Sequence, residues 1–163
     1  MNEQRERALQ ALEQAGIAYE LVEHAAVYTM EEIDALKLEA KGVECKNLFL
    51  RDRNGKRHFL VTVCGDKQVD LKKLRTVLGS SPLSFASEER LEKYLHLTKG
   101  SVTPLGIFND KDHTVEVIFD KDLQQDLPIG IHPNDNTATV WVKLEDLVSL
   151  IRAQGNSVKL ETI

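Results

Sequence analysis

Residues 46–63 have the sequence KNLFLRDRNGKRHFLVTV, in which two apolar segments flank the pair Asn54-Gly55. Asn-Gly is the preferred central pair of a two-residue type I′ turn, so this stretch predicts a β-hairpin. A loop made of those two residues places Lys46 opposite Val63. The face that Lys46 shares is otherwise apolar and contains Leu48, Leu50, Phe59, Val61 and Val63. We take this hairpin as the centre of the fold.

Lys46 is the first candidate functional residue, because a lysine at the end of an apolar face has two possible placements. Its long stem can snorkel, so that the ammonium group reaches water. It can instead project into a pocket and point a strong donor at an anionic or carbonyl group of a ligand. Both interpretations depend on the register, since a slip of one residue exchanges the two faces of the strand.

The whole chain is predicted to be one domain, residues 1–163, because it has 163 residues, of which 42% are hydrophobic and 29% charged. This composition excludes collagen-like, disordered and low-complexity chains. The residue pattern predicts helices over 2–15, from a capping box at 29–32, and over 70–78, 87–95 and 143–153. It predicts further strands over 18–22, 115–119, 137–142 and 157–161. Since helices and strands mix without a regular βαβ repeat, we expect an α+β fold, a mixed and mostly antiparallel sheet with surrounding helices.

The amino-terminal residues and the cysteine count favour the cytoplasm. Residues 1–7 are charged and lack the apolar stretch of a secretory signal, and no apolar run approaches the roughly 18 residues of a membrane helix. The two cysteines, Cys45 and Cys64, face each other across the predicted hairpin. We interpret them as buried free thiols, with a redox switch as the lesser hypothesis. Metal-binding, nucleotide-binding and serine-elbow motifs are absent from the sequence, so we expect neither a metal nor a cofactor.

The charge distribution is uneven. The net charge is −5, yet the segment from Lys41 to Arg75 contains ten basic and four acidic residues, a net charge of +6, so that the remainder carries −11. A basic patch on an acidic body can bind a polyanion locally. The alternative is that these residues only form solvated faces of a hairpin and a helix.

Two further stretches are candidates for chemistry. In Gly100-Ser101-Val102-Thr103-Pro104-Leu105-Gly106, glycines permit unusual backbone angles and proline stiffens the loop. Such a loop can direct successive amide N–H groups at an oxyanion, or it can be an ordinary connection between a helix and a strand. In His132-Pro133-Asn134-Asp135-Asn136, the proline holds the histidine extended. His132 can hydrogen-bond a substrate amine or hydroxyl, or it can simply belong to a turn.

Taken together, the segments 46–52, 100–106 and 132–137 resemble the prolyl-tRNA editing family, also called the YbaK/aminoacyl-tRNA synthetase-associated domain. Their order and spacing match that family over nearly the whole chain. The resemblance implies hydrolysis of a wrongly charged aminoacyl-tRNA by a free-standing protein, and it is strongest with the branch that removes alanine from tRNA(Pro). The branch directed at cysteine usually carries a Gly-Gly-x-Ser-Pro segment that this chain lacks. Thr103, where serine is common, keeps the hydroxyl group.

The resemblance also implies roles for individual residues. The amides of Gly100, Ser101, Val102 and Thr103 would receive the carbonyl oxygen of the ester, and Lys46 would bind either the terminal phosphate or the ester. The aminoacyl pocket would be formed by Met30, Ile33, Asn47, Pro104, His132 and Asn136, although the helical spacing of Met30 and Ile33 fits plain core residues of the second helix equally well. Acceptor-stem phosphates would contact Lys67, Lys72, Lys73 and Arg75. The family is thought to use the terminal ribose hydroxyl and a water molecule rather than a protein base.

The expected partners are mischarged tRNA(Pro) and, as a candidate, prolyl-tRNA synthetase, with neither DNA nor a membrane. Two alternatives remain open from the sequence. One is a module of the same fold that binds tRNA or a small amino acid without turnover. The other is a deacylase for seryl-, threonyl- or cysteinyl-tRNA.

Overall fold

A computed structural model describes residues 3–24, 42–134 and 137–163. The helices are α1 (Glu3–Gln14), α2 (Leu71–Leu78), α3 (Glu88–Leu95) and α4 (Leu144–Gln154). The strands are β1 (Tyr19–Glu23), β2 (Val43–Arg51), β3 (His58–Cys64), β4 (Ser84–Phe85), β5 (Val115–Asp120), β6 (Ile129–Ile131), β7 (Ala138–Val142) and β8 (Val158–Glu161). Two 3₁₀ segments, Pro104–Asn109 and Lys121–Leu123, complete the described elements.

The described strands form one mixed sheet in the order β1-β7-β6-β2-β3-β5-β8, with β4 paired to β2. Antiparallel pairing joins β1 to β7, β6 to β7, and β2 to both β3 and β4. Parallel pairing joins β2 to β6, β3 to β5, and β5 to β8. The predicted α+β class with a mixed sheet is confirmed, and β2 is the strand that joins the two halves of the sheet.

The hairpin has the predicted register, with Lys46 opposite Val63 and Cys45 opposite Cys64. The predicted two-residue type I′ loop is wrong. The backbone N–H of Gly55 donates to the carbonyl of Asp52 (3.1 Å), and only the glycine of the Asn54-Gly55 pair has a positive φ, 69°. The reason is the Asp52 carboxylate, which accepts from the amides of Lys56 (2.9 Å) and Arg57 (3.1 Å) and so stabilises a longer turn.

The two faces of the sheet pack into separate apolar clusters. The larger cluster lies against α1, α3 and α4 and includes Leu60, Phe119 and Val140. The smaller cluster lies on the opposite face and is covered by α2; its buried members are Leu50, Phe59, Val61, Val63, Leu74 and Ile118. The face that Lys46 was predicted to share is therefore the face under α2, in agreement with the alternation along β2 and β3.

Most predicted helices begin and end where their capping residues indicate. Asp70 caps α2 by accepting from the amides of Lys72 (3.0 Å) and Lys73 (3.4 Å), and Gly79 ends that helix with φ 63°. Ser87 caps α3 in the same way. Strands β4 and β6, of only two and three residues, were not predicted from the sequence. The capping box at 29–32 lies outside the described residues. Within the described part of the chain, no helix has the length and apolar character needed to span a bilayer.

Candidate active site

Lys46 lies on β2, half-buried, at the end of the apolar face. Parallel pairing of β2 with β6 places Val43 beside Ile129 and Glu44 beside Gly130. Continued by two residues, the same register brings Lys46 level with His132, which follows β6 directly. The ammonium group of Lys46 makes no hydrogen bond or ion pair with any residue in the described ranges. It is therefore available to a ligand at the end of the sheet where His132 lies.

Asn47 points to the other face of β2. Its side-chain oxygen accepts a hydrogen bond from the hydroxyl of Thr62 at 2.6 Å, and Thr62 itself is fully buried. Lys46 and Asn47 therefore lie on opposite sides of the sheet, as the alternation of a strand requires. The amide of Asn47 is fixed by β3 rather than by the segment that carries His132.

The segment 98–103 forms a turn in which several backbone amides lack a partner among the described residues. The amide of Ser101 donates to the carbonyl of Thr98 at 3.1 Å, and Gly100 has φ 92°, a conformation that favours glycine. The Ser101 amide is thus used within the turn. Within the described residues, the amides of Gly100, Val102 and Thr103 have no hydrogen-bond partner. Three of the four predicted oxyanion donors are therefore unpaired among the described residues, and of these Gly100 and Val102 are also accessible from the surface, whereas Thr103 is fully buried.

Thr103 connects this turn to the histidine segment. The Thr103 side chain is fully buried, and its hydroxyl donates to the backbone carbonyl of His132 at 2.5 Å. The same oxygen accepts from the amide of Leu105 at 3.3 Å and so caps the 3₁₀ segment that Pro104 begins. One side chain therefore fixes the amide-bearing turn against the residue that lies level with Lys46.

The ring of His132 has a defined orientation. Its Nδ1 lies 3.1 Å from the carbonyl of Ala138. Because a carbonyl oxygen only accepts, Nδ1 carries the proton, and Nε2 of the neutral ring is an acceptor. His132 is half-buried, so the ring is held by β7 while part of it remains accessible.

The residues predicted to bind the tRNA body fall into two groups. Lys72, Lys73 and Arg75 are exposed on α2. Lys67 donates to the carboxylates of Asp120 and Asp122, the latter at 2.6 Å, and to the carbonyl of Ile163 at 3.1 Å. The hydrogen bond with Asp120, and then that with Asp122, raises the pKa of Lys67. The structure thus separates Lys67, which is held by two acidic residues, from the three exposed cations of α2.

Three predicted pocket residues, Met30, Ile33 and Asn136, lie outside the described residues. The thiols of Cys45 and Cys64 are free and half-buried rather than fully buried as expected. Burial, and next the charge of Cys64, raises the pKa of Cys45 to about 12. Within residues 3–24, 42–134 and 137–163, no group of three or more His, Cys, Asp and Glu side chains could hold a metal ion.

The comparison with protein families matches residues 24–150 to the aminoacyl-tRNA editing domain. The chain belongs to this family. This confirms the resemblance that the three motifs carried, and it identifies the protein as an enzyme of aminoacyl-tRNA editing, an aminoacyl-tRNA deacylase.

Two curated relatives align with this editing domain over almost their full lengths. The prolyl-tRNA editing protein ProX of Acetoanaerobium sticklandii is 46% identical over 155 residues, which cover 95% of this chain and 94% of the relative. Prolyl-tRNA synthetase associated domain-containing protein 1 of Mus musculus is 35% identical, and the alignment covers 95% of this chain and 94% of that protein. A solved structure described as a candidate trans-editing enzyme for prolyl tRNA synthetase superimposes with a TM-score of 0.76. It covers 100% of this chain and 99% of that chain at 22% identity, a level that shows the fold.

Proposed function

We propose that this editing domain hydrolyses the ester of mischarged tRNA(Pro) in trans, with alanyl-tRNA(Pro) as the principal substrate. The observation that carries the proposal is the meeting of three motifs at one end of the sheet. The β2–β6 pairing ends at Glu44 and Gly130, and we extend its register by two residues to bring Lys46 level with His132; the hydroxyl of Thr103 bonds the carbonyl of His132. Similarity to ProX, whose name refers to prolyl-tRNA editing, supports tRNA(Pro) as the nucleic acid.

The reaction needs little covalent chemistry from the protein. An aminoacyl ester is activated, so positioning and stabilisation of the developing oxyanion are the main requirements. A water oxygen attacks the carbonyl carbon, the bond to the terminal ribose oxygen breaks, and that oxygen takes a proton to become a free hydroxyl. The products are the free amino acid and uncharged tRNA.

The backbone supplies the donors in this proposal. The amides of Gly100, Val102 and Thr103 stabilise the oxyanion, while the Ser101 amide maintains the turn through its bond to Thr98. Lys46 binds the ester end or the terminal phosphate of the tRNA. His132, whose ring is held by the carbonyl of Ala138, is proposed to hydrogen-bond the substrate amine or hydroxyl.

Selection for alanine is proposed to be steric. An apolar pocket favours a small side chain only weakly by binding, but it can exclude a proline ring that does not fit. Met30 and Ile33 remain the proposed walls of this pocket, and Pro104 and Asn136 remain proposed contributors to its shape; Asn47, whose side chain lies on the opposite face of β2 and is bonded to Thr62, is not retained. Lys72, Lys73 and Arg75 are proposed to contact phosphates of the acceptor stem, with prolyl-tRNA synthetase as a candidate partner in the cytoplasm.

A panel of mischarged tRNAs tests the proposal. Single-turnover deacylation is measured for alanyl-, seryl-, threonyl-, cysteinyl- and prolyl-tRNA(Pro), with alanyl-tRNA(Ala) to test recognition of the tRNA body. We expect alanyl-tRNA(Pro) to react fastest and prolyl-tRNA(Pro) to remain charged. If another aminoacyl-tRNA(Pro) is hydrolysed faster, that aminoacyl group, and not alanine, is the principal substrate. If every aminoacyl-tRNA in the panel is hydrolysed at its spontaneous rate, catalysis is excluded and the protein is a module that binds without turnover.

A further inference from the structure

Trp141 lies on the same face of the sheet as Lys46. It is the single tryptophan of the chain and belongs to β7. The register pairs Trp141 with Gly130 on β6 and Gly130 with Glu44 on β2. Paired residues share a face, and residues two apart on a strand do as well, so Trp141, Glu44 and Lys46 all project to one side.

The ring of Trp141 crosses the neighbouring strand. A Cβ atom at Gly130 would lie 2.7 Å from Cζ3 and 2.8 Å from Cη2 of the indole, both closer than real side chains approach. The six-membered ring therefore occupies the space above Gly130 and extends from β7 toward β2. Because neighbouring strands are about 5 Å apart, the ring lies over β6, between the backbone of β7 and that of β2.

Trp141 is one of the buried hydrophobic residues, with only 7% of the residue exposed, but it lies apart from the two apolar clusters. Its indole N–H makes no hydrogen bond within the part of the chain that the structure describes. Among the described residues, this nitrogen is not one of the fully enclosed polar atoms that lack a partner, so the donor reaches the surface on the face of Lys46, where a ligand can accept from it.

We propose that Trp141 forms the floor of the aminoacyl-ester pocket and that its indole N–H donates a hydrogen bond to an oxygen of the bound aminoacyl-adenosine. Gly130 is required because it leaves room for the ring. This inference rests on the proposed function, since it takes the face between Lys46 and His132 as the site of the ester. It assigns a binding role to two residues that the motifs do not include.

The single tryptophan allows direct detection of binding. Emission excited at 295 nm is followed while the protein is titrated with 3′-alanylamido-3′-deoxyadenosine, a stable amide analogue of the substrate end. We expect a saturable change in intensity or wavelength, whose midpoint matches inhibition of deacylation by the same compound. Adenosine and L-alanine, each at the same concentration as the analogue, serve as controls for its nucleoside half and its amino-acid half. Inhibition without any change in emission would overturn the proposal.

Substitutions separate the hydrogen bond from the ring. Trp141→Phe keeps an aromatic floor and removes the N–H, and we expect KM for alanyl-tRNA(Pro) to rise about 3- to 10-fold, the effect of one neutral hydrogen bond. Gly130→Ala displaces the ring, and we expect it to change the ratio of rates for alanyl- and seryl-tRNA(Pro). The matched control is Tyr19→Phe, which removes a hydroxyl from an aromatic residue that is on the neighbouring strand but on the opposite face, bonded to Glu13 at 2.7 Å.

The outcomes distinguish this inference from the proposed function. Wild-type protein that deacylates alanyl-tRNA(Pro), together with an unchanged KM for Trp141→Phe and unchanged rate ratios for Gly130→Ala, would refute the role of Trp141 alone. Wild-type protein that is inactive over the whole panel would refute the proposed hydrolysis, and the fluorescence titration would still show whether Trp141 lies at a binding site. If Trp141→Phe fails to fold, the titration and the Gly130→Ala variant decide the question.

Discussion

At the scale of single residues, Lys46 combines apolar neighbours with an ammonium group that has no partner among residues 3–24, 42–134 and 137–163. Its partner across the hairpin is Val63, and the next residue on its face of β2 is Leu48. A lysine in this position contributes little to the apolar cluster under α2, because its charge disfavours burial. We therefore expect its removal to affect activity much more than folding.

The first prediction concerns Lys46→Ala. Because the variant loses a charged donor at the ester or terminal phosphate, we expect kcat/KM for alanyl-tRNA(Pro) to fall by about 10²-fold or more, the usual effect of removing one transition-state donor. Single-turnover deacylation measures the loss, and the urea midpoint should change little. Lys159→Ala, an exposed lysine on the edge strand β8, is the control and should retain full activity. Full activity of Lys46→Ala would contradict the assigned role.

The second prediction concerns the hydroxyl of Thr103. Thr103→Val leaves the carbonyl of His132 and the amide of Leu105 without their partner, so we expect a loss of about 1–3 kcal/mol in the free energy of unfolding. We also expect kcat/KM to fall more than it does in a variant destabilised equally elsewhere, because the oxyanion turn is no longer attached to the His132 segment. Thr103→Ser restores the hydroxyl and should restore activity. An inactive Thr103→Ser would show that the methyl group, not the hydrogen bond, matters.

Trp141 shows why part of the site was not predictable from the sequence. The sequence around Trp141, with Val140 and Val142 on either side, is typical of an ordinary buried strand. Gly130 lies between two isoleucines, where glycine is typical of a less stable strand. Only the pairing of β6 with β7, and of β6 with β2, brings the ring across to the face of Lys46. Local sequence patterns contain no information on that non-local register.

At the scale of secondary-structure elements, the hairpin and α2 were predictable because local residues determine them. Alternating apolar residues fix the faces of β2 and β3, and Asp70 and Gly79 fix the two ends of α2. The turn was predicted wrongly because the carboxylate of Asp52 competes with the preference of Asn54-Gly55. Burial raises the pKa of Asp52, but hydrogen bonds from the Arg57, Lys56 and Gly55 amides outweigh it and hold that pKa below its usual range.

The third prediction belongs to α2. Neutralising Lys72, Lys73 and Arg75 to glutamine should weaken tRNA binding and reduce the slope of log K against log salt by about 0.7–0.9 for each phosphate that the protein no longer neutralises. Binding isotherms at several salt concentrations measure the slope. The control variant neutralises the same number of exposed lysines outside the basic segment, Lys111, Lys121 and Lys159. Equal slopes for the two triple variants would exclude α2 as the phosphate-binding surface.

At the scale of the whole molecule, the ring of His58 links the hairpin to α3. The residue is 2% exposed, stacks on Phe49 with centroids 5.6 Å apart, and lies 4.1 Å from the ring of Tyr94. Its Nε2 lies 3.1 Å from the guanidinium of Arg90, which donates to it. Burial, and next the positive charge of Arg90, lowers the pKa of His58 to about 4.

The fourth prediction follows from this depressed pKa. The unfolded chain binds a proton at this residue near pH 6.5 and the folded chain only near pH 4, so the contribution of His58 to stability is complete above pH 6.5 and is lost as the pH falls toward 4. We expect the loss to be about 2 kcal/mol in the free energy of unfolding. Urea unfolding at pH 7.5 and 4.5 measures it. His58→Gln removes the titrating group while carboxylates such as Asp52 remain, and it should show a smaller decrease; an equal decrease would exclude His58 as the cause.

The fold class was predictable as a whole, whereas the arrangement of the sheet was not. Composition and mixed helix and strand patterns indicate one α+β domain, because they depend only on local sequence. The short strands β4 and β6 have two and three residues, and their existence depends on the edge that β2 offers them. Thr103 and His132 are 29 residues apart in the chain, so the hydrogen bond between them depends on the tertiary fold and not on local sequence.

The position of β2 between the two halves of the sheet has a consequence for deuterium exchange. Among the described strands, β2 alone is hydrogen-bonded to a member of each half, β6 on one side and β3 on the other. The amides of β2 that bond to β3, and those at its ends that bond to β6 or β4, can exchange with heavy water only when the sheet parts, so isotope uptake at these positions should track complete unfolding. Lys46, the lysine proposed for catalysis, then lies on the strand that unfolds last. Substitutions that loosen the pocket walls would therefore leave the ammonium group of Lys46 in place.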